Sequence, residues 1–113
     1  MKLAIFLALT LSSQALDWPQ WRGPTADNKS DPSVKPVTEW SAKKNVLWKT
    51  PIPGRGHSSP IVIGKRVYLT TASFEKQTQS LIALDRDSGK ILWEKVIHQG
   101  GLARDIHREN SRA

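Results

Sequence analysis

Three groupings in this chain carry residue types that could do chemistry. Gly54-Arg55-Gly56-His57-Ser58-Ser59 puts hydroxyls beside an imidazole, the pair a covalent hydrolase uses as nucleophile and base. The strand-elbow-helix setting of a G-x-S-x-G nucleophile is missing, and no third orienting group is identifiable. Neighbours in sequence seldom form triad geometry. The segment reads as a polar loop entering a strand. Its two glycines could line a phosphate nest, but no helix follows to add its dipole. His98 and His107 lie nine residues apart, with Asp105 and Glu109 nearby. Metal sites favour tighter spacings or cysteine pairs, so these read as loop histidines with solvent-facing acids. Asp85 and Asp87 could serve as paired acids for hydrolysis, but both sit in a turn that gives them a structural task. No residue is therefore assigned as catalytic, cofactor-binding or metal-binding.

The turn is the most informative stretch. Ala83-Leu84-Asp85-Arg86-Asp87-Ser88-Gly89-Lys90-Ile91-Leu92-Trp93 reads as a strand, a tight turn and a second strand ending in tryptophan. Asp85 can accept hydrogen bonds from the turn backbone. Ser88 adds a local hydroxyl, and Gly89 tolerates positive φ. Trp93 is a large flat anchor with one N–H to satisfy.

The elements around it are strands. Short apolar runs appear at 46–49, 60–63, 66–72, 80–85 and 90–96, rich in β-branched and aromatic residues and separated by Pro, Gly or polar loops. Leu81 and Ala83 point one way while Ile82 and Leu84 point the other, so both faces of the sheet are apolar. A sheet packed on both sides asks for that pattern. Val46-Leu47-Trp48-Lys49 is echoed in type by Ile91-Leu92-Trp93-Glu94, with the tryptophans 45 residues apart. Four-stranded propeller blades repeat at about 40–45 residues.

Composition bounds the rest. The chain has 113 residues, enough for one ordinary domain at most. Met1-Lys2 followed by an apolar run at 3–11 and by Ser13-Gln14-Ala15 has the order of a secretory signal. Cleavage after Ala15 and export to the periplasm or the outside are expected. The chain has no cysteine, so it has no disulfide and no lipid-modified residue at that site, and the mature chain is expected to be soluble. No run is long enough for a transmembrane helix. The net charge is +7. The basic residues are scattered, with only Lys43-Lys44 and Lys65-Arg66 adjacent, and no stripe interleaves with aromatics. A solvated basic face is expected, not a nucleic-acid site; Lys65, Arg66 and Lys95 are ordinary strand charges. Residues 16–44 are rich in Pro and Trp and read as a loop segment anchored by Trp18 and Trp21, flexible from 25 to 37. Asn28-Lys29-Ser30 matches a glycosylation sequon, a match of little weight in so short a polar segment.

The spacing A-x-D-x-x-[ST]-G-x-x-x-W at Ala83, Asp85, Ser88, Gly89 and Trp93 resembles the tryptophan-docking motif of the pyrroloquinoline-quinone (PQQ) type β-propeller repeat. Trp18-Pro19-Gln20-Trp21-Arg22-Gly23-Pro24, Asn45-Val46-Leu47-Trp48-Lys49 and Gly56-His57-Ser58-Ser59-Pro60-Ile61-Val62 are similar to the opening of exported bacterial PQQ-like propeller proteins. The resemblance implies an all-β fold, with residues 45–113 forming one closing strand and one blade of an incomplete propeller. It implies that Ala83, Asp85, Ser88, Gly89, Trp93 and Trp48 are structural staples, with the tryptophans packing between blades. It implies further that this is an N-terminal fragment whose first partners are the remaining blades of the same ring. A lone blade cannot bury its faces, since about three repeats are needed for stability, so the free chain is expected to be marginal.

Three functions follow as expectations. The first is an exported, non-catalytic propeller module that binds a protein or carbohydrate ligand, with no cofactor in these residues. The second is a quinoprotein dehydrogenase of alcohols or sugars using PQQ and Ca2+. The vicinal cysteine pair common in such enzymes is missing here, and their ligands would lie mostly in other blades. The third is a propeller related to outer-membrane β-barrel assembly, although no lipid-anchoring cysteine is present.

Overall fold

The computed structural model describes residues 16–107 and 110–113. The signal-peptide reading of residues 1–15 and the candidate Glu109 lie outside the described residues.

Four strands form one antiparallel sheet in the order β1-β2-β3-β4, where β1 is Ile61–Ile63, β2 Arg66–Ser73, β3 Thr78–Asp85 and β4 Ile91–Gln99. No helix occurs among the described residues. Each strand pairs with the next through a short connection, so the sheet is a meander. The β1–β2 link is Gly64-Lys65, and Gly64 has φ +55°. That two-residue loop with a left-handed glycine is what a tight hairpin needs. The sequence placed these four strands within a residue or two at most ends. It missed the polar beginning of β3, where Thr78 and Gln79 carry the ladder on to Ser73 and Ala72. Polar residues at a strand end look like loop until their partner is known.

The register sorts the side chains into two faces. Tyr68, Ala83 and Trp93 stand opposite one another across β2, β3 and β4. Leu69, Ile82 and Glu94 form the neighbouring row on the other face, and Val67, Leu84 and Ile91 the next row on that face. Two register shifts in the β3–β4 pairing, at Gln79/Ser80 and Ala83/Leu84, mark bulges that twist β4. The buried residues cluster on β3 and the end of β2: Ile82 and Ala83 are fully buried, with Leu84, Ser80, Thr71 and Ala72 nearly so.

The expected strand at 46–49 is not one. These residues make no ladder, and Leu47 is 92% exposed. A strand exists only with a partner edge, and none lies beside this segment among the described residues. Residues 48–54 instead run from the β3–β4 turn to the far end of β2. Trp48 and Thr50 are tied to the turn, and the Thr71 hydroxyl donates to the Pro53 carbonyl at 2.6 Å. Thr71 pairs with Ser80, which places this segment over the face that carries Ile82 and Leu84. Farther along, Arg55 and Ala72 exchange both backbone bonds. The chain thus runs beside β2 before β1 begins.

Candidate functional site

The β3–β4 turn is built around one carboxylate. Asp85 Oδ1 accepts from the Ser88 hydroxyl at 2.7 Å, the Ser88 amide at 2.8 Å and the Asp87 amide at 3.1 Å. The Asp85 amide donates to the Lys90 carbonyl, and the Gly89 amide to the Asp85 carbonyl, both at 2.8 Å. The Ser88 hydroxyl and then its amide hold the Asp85 carboxyl below its ordinary value against the opposing effect of desolvation, with lesser help from the Asp87 amide and the Lys65 charge. Asp87 offers only its backbone to this network. The two carboxylates are not a paired acid system.

Gly89 closes the turn at φ +71°. A Cβ there would come within 2.4 Å of the Trp48 ring and 2.8 Å of the Thr50 hydroxyl. The indole therefore lies directly on the glycine. Its Nε1 donates to the Arg86 carbonyl at 2.8 Å, and the Thr50 hydroxyl donates to the Gly89 carbonyl at 2.6 Å. A carbonyl pointing out of a tight turn has no ladder partner, so these two donors complete the turn from outside.

Ala83 has its own reason to be small. Tyr68 and Trp93 flank it across the strand pairs, and their ring centroids are 6.1 Å apart at 51°. That tilt is a favourable aromatic geometry. A larger residue at 83 would push the two rings apart. Trp93 itself remains 38% exposed on an edge strand that also exposes Leu92, Val96 and Ile97. The chain thus holds one tryptophan seated on a turn and one with its flank open.

The other candidates are committed to structure or stand apart. The Ser58 hydroxyl donates to the Thr70 carbonyl at 3.1 Å and accepts from the Thr70 amide at 3.0 Å. It replaces a missing rung of the sheet and is not poised as a nucleophile. The His57 amide donates to the Ser111 hydroxyl at 3.2 Å. One His98 ring nitrogen lies 2.7 Å from the Gly100 carbonyl. His98, His107 and Asp105 do not converge: no group of three or more His, Cys, Asp or Glu residues that could hold a metal ion exists among the described residues.

Sequence reasoning overlooked Thr50, Tyr68 and Arg112. Arg112 stacks over the Phe74 ring at 4.3 Å and donates to the Ala103 carbonyl at 2.6 Å and the Arg104 carbonyl at 2.7 Å. Tyr68 could have been found from the register, as the residue opposite Ala83 on the preceding strand. Thr50 and Arg112 act across long separations and leave no local signal. Trp21, expected as an anchor with Trp18, is 71% exposed. Only Trp18 is pinned to the sheet, through both backbone bonds to Val62.

The four-stranded meander, its apolar faces and the turn-and-tryptophan unit all point to a repeat that stacks on neighbours. Residues 34–113 match a PQQ-repeat family model described as outer membrane protein assembly factor BamB. The chain belongs to this PQQ-repeat family. The fold is accordingly all-β, with the sheet forming a β-propeller blade of the PQQ-repeat type. No curated protein and no solved structure matches the chain. A PQQ repeat suggests other blades as partners. No helix among the described residues is long and apolar enough to cross a membrane.

Proposed function

We propose that this chain supplies a blade of an exported, non-catalytic β-propeller that serves as a binding scaffold. One observation carries the reading. The carboxylate, hydroxyl, glycine and indole of the turn are all engaged in seating Trp48 and closing the β3–β4 junction. What the blade presents outward is an apolar strand, with Leu92, Trp93, Val96 and Ile97 exposed. A surface of that kind works by packing against protein. On this reading the six residues Ala83, Asp85, Ser88, Gly89, Trp93 and Trp48 are staples of a repeat, and the residues present bring no cofactor.

The likeness to an outer membrane protein assembly factor favours a scaffold in outer-membrane protein assembly. This fits export and a partner that is itself a protein. A photo-reactive residue at Ile97 on β4 tests it, with one at Trp40 in the N-terminal segment as the control. Crosslinks from position 97 to another propeller blade or to the barrel-assembly machinery, with none from position 40, are expected. Dye reduction that depends on added PQQ and Ca2+ would instead establish a dehydrogenase and end the scaffold reading.

A further inference from the structure

The two edges of the sheet are finished differently. In an antiparallel sheet, backbone groups along an edge strand point alternately inward and outward. On β1 the outward groups are those of Val62. Its carbonyl accepts from the Trp18 amide at 2.8 Å, and its amide donates to the Trp18 carbonyl at 2.9 Å. One step before the strand, Pro60 has no amide hydrogen to offer. One step after it, the Gly64 amide donates to the Asp17 carboxylate at 2.7 Å. The Gly64 carbonyl accepts from the Arg86 guanidinium at 3.2 Å. Every outward donor from Pro60 to Gly64 is thus taken or missing.

The two residues that do this are themselves held in place. The Trp18 ring lies over Gly23, where a Cβ would approach it to 2.6 Å, and Gly23 has φ +79°. The Gly23 amide donates to the Gln20 carbonyl at 3.0 Å, and the Asn28 amide to the Arg22 carbonyl at 3.0 Å. The N-terminal segment therefore folds into its own loop around the indole and meets the edge of β1 through Asp17 and Trp18. An exposed strand edge is a template for another chain, and a three-residue strand gives little length to defend.

We infer that Asp17-Trp18 is an edge cap in cis, which keeps β1 from pairing with an extended strand of a second copy of this chain. The scaffold reading does not depend on it. Among the described residues β4 carries no comparable cap, so within them the blade is closed at one edge and open at the other. The cap is a small device: one residue mimics a strand and its neighbour's carboxylate mimics the next carbonyl.

The full chain tests this at a concentration where the wild type is monomeric. W18P deletes the amide that donates to Val62. Amide exchange at Val62 should become about tenfold faster while Ile82 keeps its protection, and sedimentation should show a rise in mass. D17A leaves the bridge intact and should speed exchange at Gly64 alone. Unchanged exchange at Val62, or faster exchange with no rise in mass, would overturn the cap. So would loss of protection at Ile82 in W18P, because the segment would then be part of the core. D17A with Gly64 as protected as in the wild type would remove Asp17 from the device.

Discussion

At the scale of single residues, the turn makes sharp demands. Gly89 combines a positive φ with an indole in van der Waals contact, so any side chain fails twice. G89A is expected to cost about 1–3 kcal/mol from backbone strain and the displaced ring, measured by denaturant unfolding. A cost near zero would mean that Trp48 does not rest on the turn. Asp85 makes a second prediction, through its lowered pKa. A carboxylate whose folded-state pKa lies below its unfolded value contributes stability above the unfolded value, near 3.9. That contribution is lost as pH falls through the folded-state value. The turn should therefore hold at neutral pH and weaken only in acid below about pH 4. The Ser88 hydroxyl is the largest cause of the shift, so S88A should move the Asp85 titration, followed by carboxyl NMR, up toward the ordinary carboxylate range. An unmoved titration would assign the shift to the backbone amides alone.

At the scale of elements, two positions show how the sheet is kept in register. Ala83 leaves room for Tyr68 and Trp93 to meet across β3. A83L should cost about 1–3 kcal/mol by overpacking and should disturb the near-ultraviolet circular dichroism of the aromatic pair. A stable variant with an unchanged aromatic spectrum would show that the rings do not close over position 83. Ser58 completes the ladder where the chain bulges away from Thr70. S58A should cost about 1–2 kcal/mol because the Thr70 amide and carbonyl lose their partner, whereas S58C, which keeps a weak donor, should cost less. Equal losses from both variants would point to a requirement for the hydroxyl beyond ladder repair. Much of this was legible in the sequence: the strands, the turn and the motif residues lie within a few residues of one another, and their spacing is enough to find them. The expected strand at 46–49 was legible in composition but failed as structure, because apolar and aromatic residues make a strand only beside a free edge. Trp48 answers to the turn at Gly89 instead.

At the scale of the whole molecule, the blade is asymmetric. Ile82 and Leu84 are buried on the face to which Thr71 ties the segment at 48–54, and the β1 edge is closed by Asp17-Trp18. Among the described residues the β4 side is left apolar and open, with Leu92, Trp93, Val96 and Ile97 exposed. An isolated chain should bind a hydrophobic dye, and L92K/I97K should reduce that binding while leaving the unfolding midpoint of the sheet nearly unchanged, since exposed positions contribute within about 0.5 kcal/mol. Dye binding that persists in the double variant would place the exposed apolar surface elsewhere. Scattered charge is consistent with this division: the cations Lys65, Arg66, Lys90 and Lys95 lie along the strands and turns and not in one stripe.

The sequence by itself determined the repeat unit: the Asp-x-x-Ser-Gly turn, the tryptophan four residues beyond the glycine, four of the strands and the family to which they belong. These are local, since turn geometry and strand alternation are set by residues a few positions apart. Tertiary structure alone decided the rest. It chose Trp18 over Trp21 as the anchor and seated Trp48 on a turn reached by a hydrogen bond 38 residues away. It also turned Ser58 from a candidate nucleophile into a rung of the sheet. Such contacts depend on which surfaces meet after the chain has folded back, and a residue's type does not state its partner.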